Sequence, residues 1–286
     1  MAVKEKKGMN RVLIFGLSGQ VGDELLPLLL DTSFAVTAIS RQPRASEKNI
    51  VWKQAGFSDF ESPEKNYDAI VSLGPLDVFA SWLTSSGFTA KKIIALSSTS
   101  IVTKKNSPDA NERKLSELLE QGEQLLITQA IKTESSLAVL RPTLMYGNGR
   151  DQSLSRWLSL AKRFKWMVLP KNAGGLRQPV HVADVASAVF QALMRMNSGC
   201  AVLDLPGGET LAFDQMLLRT LEVRLPSAKV LRIPDFLFRL MLRSLSHTRL
   251  GHGLGSGFFA RLGEDWVFDA IPARMMLAYM PRAFSP

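Results

Sequence analysis

The chain has 286 residues, 46% of them hydrophobic, which suits one large α/β domain, or one domain with a smaller lobe, and a sizeable core without disulfides or metal ions. Its single cysteine, Cys200, excludes an internal disulfide and points to a reducing, cytoplasmic setting. The net charge of +9 suits an acidic partner, but the basic residues are spread along the chain and no nucleic-acid motif accompanies them, so no nucleic acid is expected.

In chain order, the Lys-rich start is not expected to be a secretory leader, because the apolar run Val12–Phe15 is too short for one. Nor is there an uncharged apolar stretch of about 18 residues to span a membrane. The run Arg11–Phe15 reads as a buried parallel strand, Asp23–Leu30 as a helix and Phe34–Ile39 as the next strand, together the span of a βαβ unit. Further strands are predicted at Asp68–Leu73, Lys92–Ser97, Ser136–Leu140 and Ala201–Leu205. Helices are predicted at Val78–Ser85, Asp109–Gln129, Ser153–Phe164 and Asp184–Met194, the last with Asp184 as N-cap. Asp109 and Glu112 form a capping box, and Leu115, Leu118, Leu119, Leu125 and Leu126 an apolar stripe. Cys200 opens a strand and reads as a small core residue.

Alternating strands and helices imply a Rossmann-type α/β fold, a doubly wound parallel sheet with helices on both faces. The expected division is a dinucleotide-binding domain over 10–205, with 148–178 contributing to the lobe, and a smaller substrate lobe over 206–286. Pro234–Leu245 is amphipathic and cationic; it reads as a lobe helix packed on the core, or as a peripheral membrane or partner contact.

Gly16-Leu-Ser18-Gly19-Gln20-Val21-Gly22 lies between the first strand and the first helix. The first glycine permits the tight turn, the second admits a pyrophosphate to the backbone, and the third lets helix and strand pack closely. Free amides at the helix start then face the phosphates. After the second strand stands Arg41, where an NAD site carries Asp or Glu; arginine there favours the 2′-phosphate, so NADP is expected ahead of NAD.

With these features the chain resembles the extended short-chain dehydrogenase/reductase family, which includes nucleotide-sugar epimerases and dehydratases. The glycine turn matches that family's motif, Leu96–Val102 resembles its Ser-Ser-Ser/Thr strand end, Leu140–Gly147 its Arg-Pro-x-x-x-Tyr-Gly segment, and Pro179–Ala186 its His-Val-x-Asp-Val-Ala segment. The resemblance implies a nicotinamide cofactor held by Gly16, Ser18, Gly19, Gln20, Val21, Gly22, Arg41, Leu73, Gly74, Ser97, Arg141 and Pro142. It implies a small-molecule substrate such as a nucleotide sugar, touched by Arg150 and Arg177, a substrate-orienting hydroxyl at Thr99, and a homodimer.

The family's Tyr-x-x-x-Lys pair is missing. The three tyrosines, Tyr67, Tyr146 and Tyr279, are followed four residues on by Val71, Arg150 and Ala283. Anchored on Glu123-Gln-Leu-Leu, the two positions fall on Leu115 and Leu119, which can neither move a proton nor hold a ribose hydroxyl. His181, or one of Lys104, Lys105, Asp109 and Glu112, remains as a substitute acid/base. Two functions stand open: an NADP-dependent oxidoreductase or epimerase, or a cofactor-binding sensor or scaffold without turnover.

Overall fold

The computed structural model describes residues 10–149, 158, 159, 161–163, 165–246 and 256–286. Its first elements are β1 (Arg11–Phe15), α1 (Gln20–Leu30), β2 (Ala35–Ser40), β3 (Ile50–Gln54), β4 (Asn66–Ser72), α2 (Leu76–Ser85) and β5 (Thr89–Leu96). A short α3 (Ser100–Thr103) and the long α4 (Ala110–Lys132) follow, then β6 (Ser136–Pro142). Next come β7 (Met145–Tyr146), β8 (Trp166–Pro170), β9 (Leu176–Arg177), β10 (Val180–His181), α5 (Val182–Arg195) and β11 (Cys200–Leu205). The last elements are β12 (Leu211–Ala212), α6 (Phe213–Arg224), β13 (Lys229–Ile233), α7 (Asp235–Ser246), α8 (Ser256–Ala260) and α9 (Ile271–Leu277).

Seven strands form one sheet in the order β3-β2-β1-β4-β5-β6-β11. Pairings from β3 through β6 are parallel. The fold is therefore the doubly wound Rossmann arrangement expected from the alternation of elements. Val12, Leu13 and Ile14 have no exposed surface, because β1 is central and helices cover both faces.

The chain forms two compact units. The first takes residues 1–97, 121–140 and 186–203 and contains most of the sheet; the second takes 98–120, 141–185 and 204–286. The expectation gave 148–178 and 206–286 to the lobe; the second unit takes 141–185 and 204–286 and also residues 98–120, so the two units interleave along the chain. That unit has its own core, in which Tyr146, Met167, Leu169, Phe213, Met216, Phe238 and Leu262 pack together.

Several expectations are corrected. The strand β3 escapes a pattern reading because only Ile50 is buried, while Val51, Lys53 and Gln54 face out on a sheet edge. Its position is fixed locally by Asn49, whose side-chain amide donates to the carbonyls of Leu29, Thr32 and Phe34. Asp184 is no N-cap: it is the third residue of α5 and accepts from the Arg282 amide and guanidinium, both at 2.9 Å. His181 Nδ1 takes the capping role by accepting from the Ala183 amide at 3.1 Å. Cys200 is exposed, since it begins an edge strand with its side chain turned outward. The capping box is half made. Asp109 accepts from the Asn111 amide at 2.8 Å, but Glu112 turns away to other partners. Leu115 and Leu125 of the expected stripe are 39% and 42% exposed. Leu158, Ser159 and 161–163 are helical; most of the predicted Ser153–Phe164 helix, with Arg150, lies outside the described residues.

Candidate functional site

The turn after β1 belongs to the first unit and is built by backbone. Gly16 has φ +82°, a left-handed conformation, and a Cβ there would sit 3.1 Å from the Gly74 nitrogen. A Cβ on Gly22 would overlap the Leu17 carbonyl. Gly19 is the N-cap of α1 and supplies no side chain, so no side-chain cap closes the first helical turn among the described residues. Gln20, the first helical residue, also leaves its side-chain oxygen buried with no hydrogen-bond partner. Leu73 and Gly74 stand against this turn, and the Leu73 amide donates to the Phe15 carbonyl at 2.9 Å. Uncapped amides, a helix dipole and the absence of side chains at Gly16 and Gly19 together fit a pyrophosphate.

At the end of β2, Ser40 is buried and Arg41 is exposed. The Arg41 carbonyl accepts from the Gln54 side chain at 3.3 Å, its Cγ borders Gly56, and β2 itself carries no carboxylate. Phe57, which the sequence pattern does not single out any more than β3, stacks on Phe15 at 4.4 Å between ring centroids. It also borders Gly74, with a ring carbon 3.6 Å from where a Cβ there would lie. Phe57 therefore forms a flat apolar wall beside the glycine turn. Ser97, expected to line the cofactor channel, is 9% exposed and donates to Glu123 at 2.5 Å; Glu123 is itself 3% exposed. Its proton is thus spent on holding a buried carboxylate.

In the second unit, Thr99 is buried just before α3. Its amide and hydroxyl donate to the Pro142 carbonyl at 3.2 and 3.3 Å, which joins the two family-like segments, and Arg141 beside Pro142 is half-buried. The next feature is ionic. Glu112 receives Arg261 through both guanidinium nitrogens, one of them at 2.7 Å, and also Ser107 at 2.6 Å. Both ion-pair side chains are about one-sixth exposed, at 16% and 17%. Burial alone would raise the Glu112 carboxyl, but the Arg261 and Ser107 hydrogen bonds outweigh it and leave its pKa below the ordinary value. The ammonium of Lys104 makes no hydrogen bond among the described residues. Burial lowers its pKa, Glu112 and Asp109 pull the other way, and Arg261 adds to the lowering.

The substitutes for a catalytic base can therefore be sorted by what already occupies them. Asp109 caps α4, Glu112 is held by Arg261, and Lys105 is exposed with Glu120 at 3.5 Å. Lys104 alone of the four is both half-buried and uncommitted to a hydrogen bond among the described residues. His181 packs edge-on against Tyr146 at 5.1 Å, and with Nδ1 accepting, its neutral ring carries the proton on Nε2. Tyr146 accepts from the Ser285 amide and is raised by burial; Tyr279 donates to the Pro206 carbonyl at 2.8 Å and is raised likewise. Neither supplies a phenol with a lowered pKa. The Arg177 guanidinium donates to the carbonyls of Leu176, Glu264 and Arg261 and lies 5.7 Å from the Phe213 ring centre. Burial, with Arg261 beside it, pushes its pKa down to about 10. Leu119 is 9% exposed, so the two positions where the family pair would fall differ, Leu119 inside and Leu115 half outside.

This strand order and glycine turn define a doubly wound Rossmann fold. Among solved structures, the chain is similar to UDP-glucose 4-epimerase from Thermotoga maritima with UDP-glucose, at TM-score 0.70 and 15% identity over 96% of this chain and 94% of that one. It is similar to UDP-glucuronic acid 4-epimerase from Bacillus cereus in complex with NAD, at TM-score 0.69 and 14% identity over 96% and 94% of the two chains. A third is UDP-N-acetylglucosamine 4-epimerase from Bacillus cereus, at TM-score 0.67 and 14% identity over 96% and 92%. No protein-family model matches the chain, and no curated protein matches it in sequence. The likeness is one of fold over nearly the whole length.

Proposed function

We propose that the chain binds a nicotinamide dinucleotide at Gly16–Gly22, takes NADP ahead of NAD, and works as an oxidoreductase or epimerase on a nucleotide sugar or a related carbonyl or alcohol. The observation that carries this reading is the turn with no side chain at Gly16 or Gly19, leading into a start of α1 that no side chain caps. Its amides and dipole hold the diphosphate, and Arg41, with no carboxylate on β2, meets the 2′-phosphate. The named epimerases of like fold support the nucleotide-sugar substrate class; the one bound to NAD speaks for NAD, and the preference for NADP rests on Arg41 alone.

The cofactor would supply the hydride acceptor and donor. The chain's own part is to orient the substrate and handle a proton. Thr99, whose hydroxyl donates to the Pro142 carbonyl at 3.3 Å and keeps its lone pairs to accept from a substrate hydroxyl, is the group assigned to orient the substrate oxygen. Lys104, half-buried beside Glu112 with no hydrogen bond from its ammonium among the described residues and with its pKa lowered by burial, is the group assigned to take up and return a proton.

A second reading, cofactor binding without turnover, rests on the sequence alone, which carries no Tyr-x-x-x-Lys and, anchored on Glu123-Gln-Leu-Leu, sets Leu115 and Leu119 where the resemblance expects the pair. Calorimetric titration with NADPH and NADH tests the first claim; no heat with either coenzyme removes the whole reading, and a tenfold preference for NADH removes Arg41's role. Turnover on a panel of UDP-sugars and simple carbonyls, absent from Thr99→Ala and Lys104→Met, is the expected enzymatic result. Tight binding with no turnover across the panel selects the second reading.

A further inference from the structure

The second unit exposes an apolar surface that its core does not need. In α7, Phe238 and Leu242 are buried, at 0% and 4% exposure, and join the core. The opposite arc is also apolar: Phe236 is 68% exposed, Leu237 41% and Leu240 62%. At about 100° per residue these three fall within one arc of about 100°, so they form one side of the helix. The β13 strand, which leads into α7 through Pro234, pairs with β8 to make a two-stranded ribbon. Trp166 and Leu231 on that ribbon are each 46% exposed, while Met167 and Leu169 between and beyond them are buried. A surface helix normally turns charge to this side.

Charge accompanies these apolar groups. Between Lys229 and Ser246 stand Lys229, Arg232, Arg239 and Arg243 against one acid, Asp235, and of these Arg232 is paired with Asp214 at 2.6 Å. Asp235 is engaged by Asn172 through its backbone amide and, at 2.7 Å, its side chain. Lys229 lies 5.5 Å from the Trp166 ring centre and Arg239 4.5 Å from that of Phe259, so cations sit on aromatic faces at the border of the apolar arc.

Exposed Phe, Leu and Trp rimmed by Lys and Arg match the boundary between acyl chains and anionic headgroups. They do not suit nucleic acid, where stacking aromatics alternate with polar groups. A two-fold contact with a second copy would set this cationic rim against itself. We propose that α7, with the β8–β13 ribbon, docks on an anionic phospholipid surface. Phe236, Leu237 and Leu240 enter the interface, and Lys229 and Arg239 meet the headgroups. No helix among the described residues is long and apolar enough to cross a membrane, so the contact is peripheral.

The test is sedimentation of the full chain with large vesicles of phosphatidylcholine, alone or mixed with phosphatidylglycerol. Binding to the anionic vesicles is expected, at least about tenfold weaker on neutral ones, with loss of about fivefold for Lys229→Ala. Phe236→Ser with Leu240→Ser should cut binding at least about tenfold while leaving the far-UV spectrum and coenzyme titration unchanged. A blue shift of tryptophan emission on vesicles should vanish in Trp166→Phe. The proposal falls if the wild type sediments with neither vesicle, or if the double variant binds as well as the wild type. It also falls if the wild type is a dimer in solution that the double variant converts to monomers.

Discussion

At the turn after β1, main-chain amides make the electrostatic surface and side chains matter by their absence. At the first two turns of α4, the electrostatics rests wholly on side chains, with Glu112 clamped by Arg261 and Ser107 and Lys104 nearby. The first kind of site survives wide sequence change, because any small residue sequence with the right turn presents the same amides. The second depends on particular side chains brought together from positions 149 residues apart, so a single substitution undoes it.

The comparison can be broken most decisively at Gly22. Valine there would drive a Cβ into the Leu17 carbonyl, so a loss of ~3 kcal/mol and a fall of about 6–12 °C in Tm are expected, with coenzyme binding lost. An unchanged melting curve would mean that the helix and strand do not meet there.

Glu112→Gln should cost ~2–3 kcal/mol at neutral pH by leaving Arg261 half-buried without its anion. Because the folded carboxyl lies below its ordinary value of 4.5, its stabilisation is present above that pH and fades as pH falls through the folded value. Wild-type and variant urea midpoints should therefore converge below about pH 4.5; parallel curves would remove the ion pair's contribution.

Lys104→Met should act in the opposite direction on stability. A lysine lowered by burial binds its proton less well folded than unfolded, so the wild type gains stability as pH rises from the folded value toward 10.5. The variant should lose that slope and melt about 2 °C higher at neutral pH, while any turnover drops at least ~100-fold. Higher stability with unaltered turnover would confine Lys104 to packing. The smallest effect is expected for Leu115→Tyr. At 39% exposure the ring has room, so stability should move by under ~0.5 kcal/mol, as thermal melting will read.

The sheet and the glycine turn were legible because both depend on local patterns: an apolar run, three glycines at fixed spacing and a helix behind them. The edge strand β3 was not, since one buried residue in five leaves no periodicity to read. Nor could the sequence pair Glu112 with Arg261, 149 residues away, or replace Asp184 by His181 at the start of α5. The Asp-x-x-Glu spacing at 109–112 suggests a local capping box, yet the glutamate finds a stronger cation elsewhere in its unit. Cys200 reads as core from its neighbours, but an edge position reverses the inference.

The interleaving of the two units has a consequence for how the molecule can be made and dismantled. Three segments of one alternate with three of the other, so the backbone passes between them five times. No single cleavage yields two pieces that each hold a whole unit, and the first unit lacks a segment until Leu203 has been synthesised. Nascent protein therefore carries an unfinished sheet until β11 has been made, an interval in which a chaperone would find exposed strands to shield.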